Sequence, residues 1–173
     1  MKSQFTNIKS LLSRLTAEST HYYIEQKEIA SKESFGGHTI YSRYKRFEGC
    51  ISDTLLEQHI KKDINLAIPL SNGFTIFEYA GEQMVTFATL LFHVAREFKI
   101  ENLVITGYSQ EKIVILLSYN EYNRNTIDDF LDKIRKVLEV KLPDEWDIYP
   151  KKNRPEIGNL LHLPREIIEF DSF

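Results

Sequence analysis

Cysteine is nearly absent from this sequence. Its 173 residues contain one cysteine, Cys50, which excludes an intramolecular disulfide framework and a zinc site built on cysteines. The five histidines include no His-x-x-x-His pair, which excludes a zincin-type metalloprotease site. A free cysteine usually behaves as a small apolar side chain, so we expect Cys50 to be buried.

Long apolar runs and an excess of positive charge are also lacking. No uncharged stretch approaches the roughly 18 residues that a membrane-spanning helix needs, so the sequence predicts no membrane partner. The amino-terminal stretch 1–9 has no apolar run, and we therefore expect no secretory signal and a cytoplasmic location. Because the formal net charge is −3, any surface that binds nucleic acid has to be a local patch.

What the sequence does contain is the composition of a globular domain. Hydrophobic residues make up 42% of the chain and charged residues 27%, which excludes wholesale disorder. One core at this length buries enough surface to fold without a metal or disulfide. We predict a single domain over 1–173, with a helical and basic part over 1–50, a core over 51–165 and a tail over 166–173.

The hydrophobic spacing predicts an α+β fold. A helical period predicts a long helix over 6–30, and alternation around Ser71-Asn72-Gly73 predicts a β-hairpin over 64–79. Further helices are predicted over 82–98 and 127–140, and further strands over 103–106, 112–117 and 146–149. The order β-α-β-β-α-β over 74–149 is typical of the ferredoxin-like or RRM-like arrangement, to which the first helix would be an amino-terminal extension.

Two segments combine positive charge with aromatic rings or loop-forming prolines. The first, 38–47, interleaves tyrosine and phenylalanine with the cations Arg43, Lys45 and Arg46. The second is a proline-bracketed loop with the cations Lys151, Lys152 and Arg154, followed by His162. Rings that stack on bases and cations that meet phosphates are typical of surfaces for single-stranded nucleic acid. The alternatives are a solvated basic strand edge and an ordinary solvated loop.

Three charged side chains fall in or beside predicted strands of the sheet: Glu78, Lys112 and Asp147. One interpretation is a shared site in which Glu78 and Asp147 hold one Mg²⁺ or Mn²⁺ and Lys112 meets a phosphate. The other is an exposed cross-strand charge cluster that contributes little to stability.

Four segments resemble, in order, the catalytic core of archaeo-eukaryotic-type primases, especially the primase domains of plasmid, phage and conflict-system replication proteins. They lie within 55–70, 75–82, 105–117 and 146–164. The last is the most specific. Its Asp-Ile-Tyr-Pro-Lys-Lys and Gly-Asn-Leu-Leu-His-Leu-Pro stretches are similar to the family's acidic-x-x-Phe/Tyr-Pro-Lys and Gly-Asn-x-x-x-Leu-Pro elements.

The polymerase positions of that family are only partly kept. Two-metal phosphoryl transfer needs carboxylates that hold two ions about 3.5–4 Å apart. Where the family carries an Asp-x-Asp pair, this chain has Glu78 and Ala80, and near the position of the family's His it has Lys112. Asp147 matches the third acidic position. The resemblance therefore implies a primase fold whose polymerase site has decayed.

The function that the resemblance implies is that of a catalytically degenerate primase-like domain with no cofactor. It would bind single-stranded nucleic acid or a nucleotide as an accessory subunit in DNA replication, a mobile element or defence. Its partner would be a catalytic primase, polymerase or helicase subunit, and Lys151 and Asn159 would lie near the nucleotide. One alternative is an active primase-polymerase that uses Glu78, Asp147 and Lys112 with Mg²⁺ or Mn²⁺. The other is a protein-interaction domain without a nucleic-acid role.

Overall fold

The computed structural model describes residues 7–70, 73–109, 111–119, 121–143 and 145–169. In chain order these residues form α1 (Ile8–Thr16), β1 (His21–Glu25), β2 (Ser31–Phe35), β3 (His38–Ser42), β4 (Tyr44–Glu48), α2 (Asp53–Ile60), β5 (Leu66–Pro69), β6 (Phe74–Tyr79), α3 (Met84–Glu97), β7 (Leu103–Tyr108), β8 (Ile113–Ser118), α4 (Arg124–Lys141), β9 (Trp146–Tyr149), a 3-10 helix (Glu156–Gly158) and β10 (Leu160–His162). The fold class is α+β, as predicted, and the sheets are antiparallel.

The described residues fall into two compact units. One contains 7–70 and 149–165, with 13 Lys and Arg against 9 Asp and Glu, a net charge of +4, and we call it the basic unit. The other contains the described residues of 73–148 and 166–169, with 8 Lys and Arg against 14 Asp and Glu, a net charge of −6, and we call it the acidic unit. The overall charge of −3 therefore hides two units of opposite sign.

The basic unit is built on a four-stranded sheet with the strand order β10-β5-β1-β4. All three pairings are antiparallel, and β2 and β3 form a separate two-stranded hairpin. Tyr23, Ala67 and Ile157 are buried together on one face of the sheet, with Ile40 and Tyr44 packed against them. This small core joins the sheet, the hairpin and the 3-10 helix.

The predicted helix over 6–30, and with it the helical extension, is wrong beyond Thr16. Residues 21–25 form β1, in which only Tyr23 is buried and its neighbours are half-buried. Aromatic and β-branched residues favour strands, and Tyr22 lies opposite Phe47 of β4. The cross-strand partners decide the conformation, and a local helical period does not reveal them.

The predicted hairpin over 64–79 is also wrong. β5 pairs with β1 and β10, whereas β6 pairs with β8, so the two strands belong to different sheets. The expected turn residues Ser71 and Asn72 lie outside the described residues. Cys50, expected to be buried, is exposed.

His59 fixes the end of α2 against the following chain in the basic unit. Its side chain is buried, and its Nδ1 accepts a hydrogen bond from the Leu66 N–H at 3.2 Å. Its Nε2 donates to the Leu163 carbonyl at 2.9 Å, and its Nδ1 also lies 3.3 Å from the Ile64 carbonyl oxygen. Burial and the nearby Arg165 guanidinium lower the pKa of His59 below its ordinary value.

The acidic unit has the succession β-α-β-β-α-β, from β6 to β9, and the strand order β7-β8-β6-β9. The predicted helices 82–98 and 127–140 are observed as α3 and α4, and the three further strands are confirmed. Alternate residues of the strands, among them Phe77 and Ile115, pack with Phe87 of α3 and Phe130 of α4 in one apolar cluster. No helix within the described ranges combines the length and low polarity needed to cross a bilayer.

Candidate nucleic-acid interface

The three cations predicted around β4 do not form one patch. Successive side chains of a strand point to opposite faces, so Lys45 and Arg46 lie on opposite faces of the sheet. Lys45 lies on the same face as Phe47, and its Nζ is 5.6 Å from the centre of that ring. Phe47 in turn stacks on Tyr22 of β1, with ring centres 5.7 Å apart and an angle of 15°. A cation and two stacked rings thus share this face of the sheet.

Arg43 and Arg46 are held by carboxylates. Arg43 forms an ion pair with Glu25, whose other oxygen accepts a hydrogen bond from the Asn65 amide. Arg46 contacts Glu48 at 2.8 Å and Glu156 at 3.7 Å. These carboxylates partly balance both guanidinium groups, so each would meet a phosphate in competition with its present partner.

Arg165 completes the polar group around Asn65 within the basic unit. Its guanidinium donates to the His59 carbonyl at 2.9 Å, to the Ile64 carbonyl at 3.2 Å and to the Asn65 side-chain oxygen. These bonds commit Arg165 to holding the chain between α2 and β5.

The loop 149–155 brings two cations to one ring. The Lys151 ammonium lies 5.1 Å from the centre of the Tyr149 ring, and the Arg154 guanidinium lies 5.8 Å from it. Lys152 and Arg154 are exposed, and Lys151 is half-buried. The predicted basic loop is therefore also an aromatic site, because Tyr149 lies at its base.

Asn159 holds this loop through hydrogen bonds to its backbone. Its side-chain oxygen accepts a hydrogen bond from the Lys151 N–H at 2.7 Å. Its side-chain nitrogen donates to the Lys151 carbonyl at 2.9 Å and to the Arg154 carbonyl at 3.1 Å. Both ends of the amide are engaged by the backbone, so the structure gives Asn159 a role in positioning the loop's cations.

Glu156 ties the 3-10 helix after the loop to β1. One carboxylate oxygen accepts hydrogen bonds from His21 at 2.7 Å and from the buried Tyr23 hydroxyl. Burial alone would raise the pKa of Glu156, but the hydrogen bonds from Tyr23 and His21 outweigh it and lower this pKa below its ordinary value. The charged carboxylate therefore anchors the loop's far end to the sheet.

The remaining predicted binding residue, His162, stacks on Tyr44, with ring centres 4.9 Å apart. Burial, together with the Glu25 carboxylate, raises the pKa of Tyr44 to about 12, so its hydroxyl stays protonated. A further cation and ring, Lys32 and Tyr41, pair across the β2–β3 hairpin at 5.6 Å.

Sequence reasoning missed Tyr22 and Lys32 as members of this surface. The helical period places Tyr22 in the predicted helix over 6–30, and Lys32 lies in β2, a strand that the sequence pattern does not reveal. The aromatic and β-branched character of His21 to Ile24 was the available signal for β1.

The predicted metal-binding residues lie in the acidic unit. Glu78 of β6 forms an ion pair with Lys112, with 2.8 Å between Oε1 and Nζ, so the structure brings these two together. Asp147 lies in β9, the strand beside β6. Across the described part of the chain, no group of three or more His, Cys, Asp or Glu side chains is placed to hold a metal ion.

Residues 9–78 match one family model. Its description is a domain of unknown function (DUF1882). The match covers 70 of the 173 residues and runs from α1 through β5 into β6, which includes most of the larger segment of the basic unit. No curated protein matches the chain. The similarity is thus to a family whose description assigns no activity.

Proposed function

We propose that the chain binds single-stranded nucleic acid through its basic unit, as a non-catalytic primase-like accessory subunit. One observation carries the proposal: a chain of net charge −3 concentrates a charge of +4 in one unit, and every cation–ring contact within the described residues lies in that unit. Rings accept unpaired bases regardless of sequence, and the neighbouring cations meet the phosphates. We expect weak sequence preference and strong salt dependence.

The acidic unit supports the primase-like part of the proposal. We take its β-α-β-β-α-β succession and its strand order β7-β8-β6-β9 as support for a ferredoxin-like, or RRM-like, sheet, which is the arrangement that the resemblance to primases implies. Its Glu78 carboxylate is balanced by Lys112, and Ala80 offers no ligand at the second acidic position. We therefore assign the domain an accessory role beside a catalytic primase, polymerase or helicase subunit.

The test is a fluorescence-anisotropy titration with labelled single-stranded DNA and RNA of about 20 nucleotides, longer than typical site sizes. The variant Lys151→Gln/Lys152→Gln/Arg154→Gln removes three positive charges from the loop. The control Lys133→Gln/Lys136→Gln/Lys141→Gln removes three from exposed positions of α4. Both variants have the same net charge.

We expect the wild type to bind more weakly as salt increases. The slope of log K against log salt should fall in magnitude by about 2 in the loop variant, since each single-strand phosphate contact contributes about 0.7. The control should keep the wild-type slope. An equal loss in both variants would reduce the effect to bulk charge. Absence of binding at low salt would overturn the proposal and favour a protein partner, and binding only with Mn²⁺ would favour a metal site at Glu78 and Asp147.

A further inference from the structure

The β2–β3 hairpin stands apart from the four-stranded sheet of the basic unit. Its strands pair only with each other within the described residues, from Ser31 opposite Ser42 to Phe35 opposite His38. Gly36 and Gly37 close it with φ angles of 57° and 82°, values that glycine adopts without strain.

One face of this hairpin is fully exposed and carries a ring. The register places Lys32 opposite Tyr41 and Ser34 opposite Thr39 on that face, and all four residues are exposed. Tyr41 is 58% exposed, so its ring is accessible from solvent. The cation of Lys32 lies 5.6 Å from the ring centre, so the face repeats the cation–ring pairing of the basic loop.

The opposite face connects the hairpin to that loop. Ile40 packs against the core of Tyr23, Ala67 and Ile157. A Cβ added at Gly158 would lie 3.1 Å from the Ile40 Cδ1, so the hairpin contacts the residue next to Asn159, which shapes the loop. The exposed ring and the basic loop are thus carried by one packed group of elements.

We propose that the hairpin is a base-stacking arm that lengthens the nucleic-acid surface. Tyr41 takes an unpaired base, and Lys32 meets a neighbouring phosphate. The ligand class is then single-stranded nucleic acid long enough to reach from the basic loop to the arm. This inference rests on the proposed function, since the arm adds to binding that the loop provides.

The test compares Tyr41→Ala with Tyr41→Phe, which keeps the ring. The ligands are a short strand of about 6 nucleotides, a long strand of about 15, a blunt duplex of the long strand, and a long strand whose bases are replaced by abasic sites. Both strand lengths lie within the typical range of single-strand site sizes. Loss of one base-stacking ring should weaken binding of the long strand at least about fivefold in Tyr41→Ala. Tyr41→Phe should stay near wild type, and the short and abasic strands should not distinguish the variants.

The outcomes separate the arm from the interface. If Tyr41→Ala binds the long strand like wild type while the loop variant binds it weakly, the arm is refuted and the proposed function stands. The same holds if Tyr41→Ala loses affinity equally for intact and abasic strands. If the wild type binds no strand, or binds a blunt duplex as tightly as a single strand, both proposals fail.

Discussion

Replacing Asn159 by alanine should loosen the basic loop without changing any charge. The substitution removes the acceptor for the Lys151 N–H at 2.7 Å and the donor to the carbonyls of Lys151 and Arg154 at 2.9 and 3.1 Å. Each hydrogen bond contributes a net of about 1 kcal/mol to stability. In a half-exposed loop, water forms part of the lost hydrogen bonds, so the total loss is smaller than the sum over the bonds. We therefore expect a loss of about 2 kcal/mol in the free energy of unfolding.

The assay is urea unfolding followed by circular dichroism, with anisotropy titrations on the same samples. With a slope of about 2 kcal/mol per molar urea, the midpoint should fall by about 1 M. Single-strand affinity should also fall, because the cations of the loop are no longer ordered before binding. Asn153→Ala is the matched control, since it removes an exposed asparagine of the same loop and should leave both measurements near wild type.

Two results would refute this reasoning. If Asn159→Ala were no less stable than Asn153→Ala, the hydrogen bonds of the Asn159 side chain would not hold the loop. If stability stayed the same but binding disappeared, Asn159 would contact the ligand directly, as the resemblance to primases implies. Asn159→Asp refines the comparison, because its carboxylate can accept from the Lys151 N–H but cannot donate to the carbonyls of Lys151, Arg154 and Pro155.

Three further predictions concern stability and charge. Because the pKa of His59 is lowered in the fold, the unfolded chain takes up the proton first, so stability should fall as pH drops below about 6.5. Urea unfolding across pH should show a shallower loss in His59→Gln, and an unchanged slope would contradict the assignment. Tyr23→Phe should destabilise the fold by about 1–2 kcal/mol and raise the pKa of Glu156, measured by carboxyl NMR. The stability that the lowered Glu156 pKa provides is present above the ordinary carboxyl pKa and is lost as pH falls through the folded value, so Tyr23→Phe should be less sensitive to acid there. For Glu78 and Lys112, which are both partly exposed, a double-mutant cycle should give a coupling below about 1 kcal/mol, and a larger value would indicate a more buried pair.

The resemblance and the structure differ most in the roles and positions that they assign to single residues. The resemblance implies that Asn159 lies near the bound nucleotide, whereas in the structure its amide forms hydrogen bonds with the backbone of the loop. Because Lys45 and Arg46 are adjacent in the sequence, they are predicted to form one basic patch, whereas strand alternation places them on opposite faces of the sheet. In each case a residue's type was visible in the sequence, but its direction depends on partners distant in the chain.

The sequence by itself determined the elements whose pattern is local. The apolar stripes of α3 and α4 and the short apolar runs of β7, β8 and β9 each lie within a few turns or one strand, so periodicity alone predicts them. The single cysteine and the absence of long apolar runs likewise exclude an intramolecular disulfide and a membrane-spanning helix from the sequence alone.

The tertiary structure alone decided which segments belong together. β1 forms because Tyr22 pairs with Phe47 across the two strands. β5 does not form the predicted hairpin because it pairs with β1 and β10 instead. The charge of +4 arises because 149–165 joins 7–70, and neither composition nor spacing shows that segments some 80 residues apart share one unit. Sheet pairing and burial are set by long-range contacts, which a single sequence does not encode in any local pattern.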